Sequence, residues 1–433
     1  MEAVCPIDSQ FADEISALLK PPMPHQVQEY FDQLTTTREI RGLKVRQNGE
    51  HGKGVYADVD FEEGDLVLKD QMLAGSQHSS NKIDCLVCSF CFCFIGSIEL
   101  QIGRKLYLQD LGVSTNNECE RKPFSHIPKE TCQIDSSDGE DDSYVVDHRS
   151  SKEYGSSSSK YRTPLPKEIV ESLMNGELVL PFSKQFPLPS VISCPGGCRE
   201  SYYCSKLCAE ADWDLFHSLL CTGARSKSLN KEALLKFIQH ANETNDIFLL
   251  AAKVVSFTIL RYKKSKTANL EKEGKCTTDS CNLSLLLEAW KPISMGYKRR
   301  WWECIALPDD VDCHEETSFR MQIKELAFMK EAEITTRPVL DALGDDYSVC
   351  CEGTAFFPLQ SCMNHSCHPN AKAFKREEDR DGQATIIALR PISKGEEVTI
   401  SYIEEDLPFE ERQALLADYG FRCKCPKCLE EEL

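Results

Sequence analysis

The feature that most constrains the fold is a set of three closely spaced cysteines near the C-terminus. They are Cys423, Cys425 and Cys428, with the spacing C-x-C-x2-C. Three thiolates do not complete a tetrahedral zinc site, so the triplet requires one more ligand from elsewhere in the chain. Cys367 lies far upstream and is a candidate. A zinc ion between them would fold the C-terminal residues over the segment around Tyr402.

Composition favours metal binding over disulfides. The chain has 433 residues, 23 of them cysteine, and a formal net charge of −19. Its N-terminus lacks the basic start and apolar stretch of a secretory signal, and no apolar run reaches membrane-spanning length. A reducing compartment is therefore expected, where cysteine clusters indicate metal sites. The acidic charge argues against strong direct DNA binding and is compatible with a basic protein partner.

Four pairs of candidate zinc ligands occur in the central part of the chain. They are Cys85 with Cys88, Cys194 with Cys198, Cys204 with Cys208, and His217 with Cys221. Eight ligands are enough for two closed tetrahedral sites, and a closed site leaves no coordination position for catalysis. Cys91 and Cys93 lie close by and either could replace a proposed ligand, although we interpret them as non-ligands.

Three motifs resemble those of a known family. The segment Asn364-His365-Ser366-Cys367-His368-Pro369-Asn370, followed by Ser401-Tyr402 and the cysteine triplet, resembles the end of a SET domain and its post-SET zinc site. Upstream, His51-Gly52-Lys53-Gly54 resembles the cofactor-binding turn of the same family. Tyr203-Cys204-Ser205-x2-Cys208, with the histidine and cysteine that follow, resembles a MYND finger. Together these motifs indicate the SET–MYND methyltransferases, in their short branch without C-terminal helical repeats, and more particularly a plant trithorax-related SET protein.

The resemblance implies an α+β fold in which a split SET domain of short β-sheets carries an inserted zinc finger. Residues 1–37 are an N-terminal extension, 38–84 and 341–403 are the two SET parts, and 85–221 are the finger. Residues 222–340 are a helical insert and 404–433 are the post-SET segment. Within the finger, residues 115–165 are acidic and serine-rich, a composition that predicts disorder.

The resemblance also implies ligand sets and site residues. Alternation of the pairs in the family assigns one zinc to Cys85, Cys88, Cys204 and Cys208, and a second to Cys194, Cys198, His217 and Cys221. A third zinc would be held by Cys367, Cys423, Cys425 and Cys428. The cofactor S-adenosylmethionine would contact Lys53, Gly54, Asn364, His365, Tyr402 and Phe421. The catalytic residues would be Tyr402, which faces the methyl group, and Tyr419, which lines the lysine channel.

The activity implied is S-adenosylmethionine-dependent protein-lysine N-methylation. We expect a histone H3 tail to be the substrate and the nucleus to be the site of action, in chromatin regulation. One alternative keeps the chemistry but places it in the cytoplasm, on a ribosomal or other non-histone protein. Another is a non-catalytic scaffold whose MYND finger recruits a proline-rich partner.

Overall fold

The computed structural model describes residues 10–48, 52–111, 164–226, 230–273, 279–296, 330–343, 351–374 and 381–432. Most of the acidic and serine-rich insertion lies outside these ranges. No helix within them is long and apolar enough to cross a membrane. The described elements alternate short strands with helices, which confirms the expected α+β class.

The first part of the chain combines two helices with four strands. The order is α1 (Ala12–Leu19), α2 (Pro24–Thr37), β1 (Leu43–Asn48), β2 (Gly52–Ala57), β3 (Leu66–Asp70) and β4 (Ala74–Gln77). Helix α2 is amphipathic, and its buried residues Val27 and Phe31 pack against the strand-derived core. Apolar residues of β1 and β2 alternate toward the same core, as expected for strands with one buried face.

The central part contains the finger and the helical insert. Helix α3 (Asn81–Asp84) precedes the finger, whose elements are α4 (Ile98–Asp110), α5 (Lys167–Asn175), β5 (Ile192–Ser193), β6 (Tyr202–Tyr203), α6 (Lys206–Asp212) and α7 (Ser218–Leu220), with a 3-10 turn at Ser183–Gln185 and a π-helical turn at Trp213–His217. The insert comprises α8 (Lys231–Thr244), α9 (Ile247–Glu273), α10 (Asp279–Ser294) and α11 (Lys330–Leu343). The described part of the insert is thus helical, as the resemblance implies.

The last part returns to short strands. It comprises β7 (Gly353–Phe356), a 3-10 turn at Gln360–Cys362, β8 (Asn364–His365), β9 (Ala371–Ala373), β10 (Ala384–Ala388), β11 (Glu397–Ile400), α12 (Phe409–Asp418) and α13 (Pro426–Glu431). Strand β11 ends two residues before Tyr402, so this tyrosine lies in the connection to α12.

The sheets join the N-terminal and C-terminal SET parts. One sheet has the order β1-β2-β11-β8 and another has the order β3-β10-β9, while β4 pairs with β7 and β5 with β6. Strand β11 is antiparallel to β2 and parallel to β8. Strands distant in sequence therefore bring residues near 54, 364 and 402 to one end of the same sheet. The main core, which includes Val55, Met363 and Ile400, lies beneath them.

Candidate active site and zinc sites

Strand pairing aligns the two halves of the site. In the parallel pair, Asn364 and His365 are opposite Thr399 and Ile400, immediately before Tyr402. On the other side of β11, Glu397 is opposite Tyr56 of β2. The register therefore fixes the G-x-G turn, the Asn-His pair and the tyrosine relative to one another through main-chain hydrogen bonds.

A polar pair lies over Gly54. The Asn364 amide Nδ2 donates a hydrogen bond to Glu397 Oε1 at 2.6 Å. A Cβ on Gly54 would lie 2.4 Å from Glu397 Oε1 and 3.3 Å from Asn364 Nδ2, so a glycine is required for this close approach. Burial, followed by the nearby Glu397 carboxylate, raises the pKa of Tyr56. The arrangement places an amide and a carboxyl group beside the main chain of Gly54.

Glu397 was missed by sequence reasoning. Its only signal was the polar-apolar alternation of β11, in which Glu397 and Thr399 point to the opposite face from the buried Val398 and Ile400. That alternation identifies a face of the strand, but not the neighbours that the adjacent strands supply.

Tyr402 is held by one hydrogen bond from its hydroxyl and one from its main-chain N–H. Its hydroxyl donates to the Met363 carbonyl at 2.5 Å, and its backbone N–H donates to His365 Nδ1 at 3.1 Å. Burial raises the pKa of Tyr402, with a smaller contribution from Tyr419. The phenol therefore stays protonated at neutral pH and acts as a hydrogen-bond donor rather than a base.

Aromatic rings surround Tyr402. The Tyr419 ring centroid is 5.2 Å away, that of His365 is 5.3 Å away, and that of Phe421 is 6.5 Å away in an edge-on orientation. Tyr419 is 45% exposed, and its hydroxyl donates to the Tyr402 carbonyl at 3.4 Å. The aromatic group is thus partly buried at Tyr402 and opens to solvent at Tyr419.

His365 links the tyrosine to the C-terminal cysteines. While Nδ1 accepts from Tyr402, Nε2 lies 3.2 Å from Cys367 Sγ. Burial, with a smaller contribution from Arg412, lowers the pKa of His365 to about 4. A neutral ring that accepts at Nδ1 carries its proton on Nε2, which is then a donor toward sulfur.

The C-terminal thiols form the expected cluster. The ligand atoms of Cys367, Cys423, Cys425 and Cys428 all lie within 4.8 Å of one another. Four soft donors at this separation fit one tetrahedral zinc ion. The buried Arg412 guanidinium, which sequence reasoning also missed, donates to Cys428 Sγ at 3.8 Å and to Glu431 at 2.5 Å. Its charge offsets part of the negative charge of four thiolates.

One of the two finger clusters also agrees with the expected ligand set. Cys194, Cys198, His217 and Cys221 are buried with their donor atoms within 4.8 Å of one another. Cys198 Sγ is 3.3 Å from His217 Nε2, and Cys194 Sγ is 3.8 Å from Cys221 Sγ. This donor set also fits a closed zinc site.

The other finger cluster corrects the expected ligands. It consists of Cys88, Cys91, Cys204 and Cys208, so that Cys91 takes the place expected for Cys85. The Cys85 thiol instead donates to Asn81 Oδ1 at 3.3 Å and packs in a separate apolar cluster with α4 and α5. The reason is a tight turn in which the Cys88 N–H donates to the Cys93 carbonyl, bringing Cys91 back toward Cys88.

The side chain of Lys53 contacts the helical insert. Its side chain is buried, and its ammonium donates to the Met295 carbonyl near the end of α10. The ammonium lies 5.8 Å from the centre of the Phe31 ring. Burial lowers the pKa of Lys53. The side chain thus joins the G-x-G turn to the helical insert, while Gly54, not Lys53, adjoins Asn364.

Comparison with known proteins agrees with this geometry. The model of the SET domain family matches residues 52–403, which is most of the chain. The chain belongs to the SET domain family. The match spans the central finger, as expected for a SET domain divided by an insertion.

Relatives place the chain within this family. The histone-lysine N-methyltransferase ATXR2 of Arabidopsis thaliana is 55% identical, with 100% of this chain and 99% of that protein covered. The protein-lysine N-trimethyltransferase SMYD5 of Gallus gallus is 29% identical over 60% of this chain and 71% of that protein. A SET and MYND domain-containing protein of Dictyostelium discoideum is 29% identical over 54% of this chain and 66% of that protein. The chain is therefore a SET–MYND protein-lysine methyltransferase.

Proposed function

We propose that the protein transfers a methyl group from S-adenosylmethionine to a lysine side chain beside Tyr402. The observation that carries this proposal is the anchored Tyr402, whose hydroxyl donates to Met363 and whose main-chain N–H donates to His365. A tyrosine fixed in this way can orient a nucleophile, and fixed geometry is the main requirement of in-line displacement.

Gly54, Asn364, His365 and Phe421 are the residues proposed to hold the cofactor. Gly54 permits close approach of a ligand to the main chain, and the Asn364–Glu397 pair supplies polar groups next to it. The carboxylate favours the cationic part of the cofactor. Phe421 lies 5.9 Å from His365, between centroids, and supplies an aromatic wall. When bound, S-adenosylmethionine supplies an electrophilic methyl group on a sulfonium centre.

The aromatic group around Tyr402 is suited to a lysine substrate. A lysine ammonium has no lone pair, and deprotonation at pH 7 costs about 4.6 kcal/mol for a pKa of about 10.4. An apolar channel lowers that pKa because it disfavours the charged form. Tyr419, half exposed at the outer end, is placed to contact the alkyl stem and the cation as the lysine enters. The proton leaves to solvent, because the Tyr402 phenol is already protonated.

The three cysteine clusters are proposed as structural zinc sites. Each offers four soft protein donors, so a bound ion would have no open position for substrate. Two stabilise the finger and the third fastens the post-SET segment that carries Tyr419 and Phe421. The chemistry is thus assigned to side chains and the cofactor rather than to metal.

The substrate proposed is the tail of histone H3, with the nucleus as the site of action. The net charge of −19 suits a basic peptide, and the relative from Arabidopsis thaliana is named a histone-lysine N-methyltransferase. Chromatin regulation is the corresponding biological role.

Incubation with isotopically labelled cofactor and nucleosomes, free histones or cell extract tests the activity and its substrate. Label on histone H3 that disappears in Tyr402→Phe supports the proposal. Calorimetric titration with S-adenosylmethionine separates binding from turnover. Heat of binding without labelling of any protein would contradict the transferase assignment, and absence of both would favour the scaffold alternative with a proline-rich partner of the finger.

A non-histone substrate is the second candidate, because the relatives from Gallus gallus and other vertebrates carry the broader name of protein-lysine N-trimethyltransferase. Labelling of a ribosomal or other cytoplasmic protein in extract, with histones unlabelled, would favour it. Fractionation of cells that express tagged protein would then place it in the cytoplasm.

A further inference from the structure

The first finger cluster contains a fifth thiol. Cys93 Sγ lies 3.4 Å from Cys91 Sγ, which in turn is 3.6 Å from Cys204 Sγ. Cys93 therefore contacts a group of thiols that already has four donors, which is enough for one zinc ion.

A tight turn places the thiols of Cys91 and Cys93 next to each other. The Cys88 N–H donates to the Cys93 carbonyl at 2.9 Å, and the Phe92 N–H donates to the Cys88 carbonyl at 2.9 Å. Phe92 has a φ of 59°, in the left-handed region, which reverses the chain between the two cysteines. Side chains two residues apart would point to opposite faces of a strand, but here they converge.

The surplus thiol distinguishes this cluster from the other two in the described part of the chain. Those groups contain four donors each, and a tetrahedral zinc ion accepts four. In the second finger cluster all four donors are buried, whereas Cys91 and Cys93 are both partly accessible to solvent. An exchange between ligands at the first cluster would thus occur next to solvent, with little movement of the buried core.

We propose that Cys91 and Cys93 are interchangeable fourth ligands of one zinc ion, completed by Cys88, Cys204 and Cys208. In either arrangement one thiol of the two is uncoordinated and open to a soft electrophile. The consequence is a zinc site that keeps its ion when either thiol is substituted or alkylated. Exchange needs no oxidant, because one thiolate replaces another and the displaced sulfur takes up the proton released by the incoming one.

Zinc stoichiometry of purified full-length variants tests the proposal. Native mass spectrometry and elemental analysis should show three zinc ions in wild type, in Cys91→Ser and in Cys93→Ser, but two in the double variant. Cys208→Ser, which removes a ligand common to both arrangements, should also retain two, whereas Cys85→Ser should retain three. Loss of one zinc from Cys91→Ser alone would overturn the proposal, as would three zinc ions in the double variant.

Alkylation of the wild-type protein provides a test that does not depend on the folding of variants. Limited iodoacetamide should give protein with three zinc ions and with label divided between Cys91 and Cys93, as read by tandem mass spectrometry of the peptide that contains both. Label confined to one of the two would show a single fixed ligand set and overturn the exchange. Labelling of neither while zinc remains bound would do the same.

Discussion

Replacement of Gly54 by alanine is expected to weaken cofactor binding while leaving the fold intact. The added methyl carbon would lie 2.4 Å from Glu397 Oε1 and 3.0 Å from Tyr56 Cε2. The carboxylate is the end of a flexible side chain, so it can rotate away at small cost to folding. Once it has moved, the 2.6 Å hydrogen bond from Asn364 is lost. The change is therefore confined to the Asn364–Glu397 pair beside Gly54, where S-adenosylmethionine is proposed to bind.

The size of the effect follows from that hydrogen bond. A hydrogen bond to a charged group contributes about 1.5–3 kcal/mol. If this energy keeps Asn364 in its binding orientation, its loss weakens cofactor binding roughly tenfold to a hundredfold, since each 1.4 kcal/mol is a factor of ten. Glu397→Ala removes the same acceptor and should have an effect of similar size.

Calorimetric titration of Gly54→Ala, Glu397→Ala and the double variant distinguishes this mechanism from direct obstruction. With no carboxylate to displace, the alanine at position 54 should add about twofold or less to the loss caused by Glu397→Ala. Thermal unfolding and zinc content serve as controls and should change little. If the affinity losses of the two single variants multiply in the double variant, the methyl group obstructs the cofactor itself. Wild-type affinity of Gly54→Ala would refute the reasoning altogether.

Three further variants test the groups around Tyr402. Tyr402→Phe leaves the Met363 carbonyl without its donor, so we expect the free energy of unfolding to fall by about 1–3 kcal/mol in chemical denaturation. The methylation rate of this variant should fall, or the number of methyl groups it adds should change. If the rate and the methyl number both stay as in wild type, the hydroxyl has no part in the mechanism. Cys367→Ser should lose one of three zinc ions by native mass spectrometry, and its methylation rate should fall on the order of tenfold or more. A full methylation rate with two zinc ions would show that the C-terminal zinc ion is dispensable. Arg412→Ala should weaken retention of that same zinc ion on the order of tenfold to a hundredfold in chelator competition, and Arg412→Lys should restore part of it. Equal zinc retention in wild type and both variants would refute charge compensation by the guanidinium.

Short-range spacing predicted much of the metal chemistry. Eleven of the twelve expected ligands lie in the three clusters, because pairs two to four residues apart often bring two donors within reach of one ion. The exception is Cys85. The series at residues 85, 88, 91 and 93 offers several equivalent spacings, and only the turn at Phe92 decides which thiols converge. That turn depends on tertiary hydrogen bonds, which spacing alone does not encode.

Long-range partners were harder to predict. The position of Gly54 beside Asn364 followed from the order of motifs, but the Asn364–Glu397 pair depends on the register of three strands. Lys53 shows the same limit. The order of motifs places it next to Gly54, but its ammonium is buried against the Met295 carbonyl, beside a helix distant in sequence. The order of motifs predicts which strand carries a residue, whereas the direction of a long side chain depends on the residues that pack against it.

The proposed C-terminal zinc site and Tyr402, the proposed catalytic residue, are connected by one imidazole ring. His365 accepts from the Tyr402 main chain at Nδ1 and faces Cys367 through Nε2, so the thiolate and the tyrosine each constrain the same ring. Loss of zinc would free Cys367 and thereby loosen the ring that positions Tyr402, in addition to releasing Tyr419 and Phe421. A metal without an open coordination position can therefore still control the reaction, because it determines the geometry of the residues that carry it out.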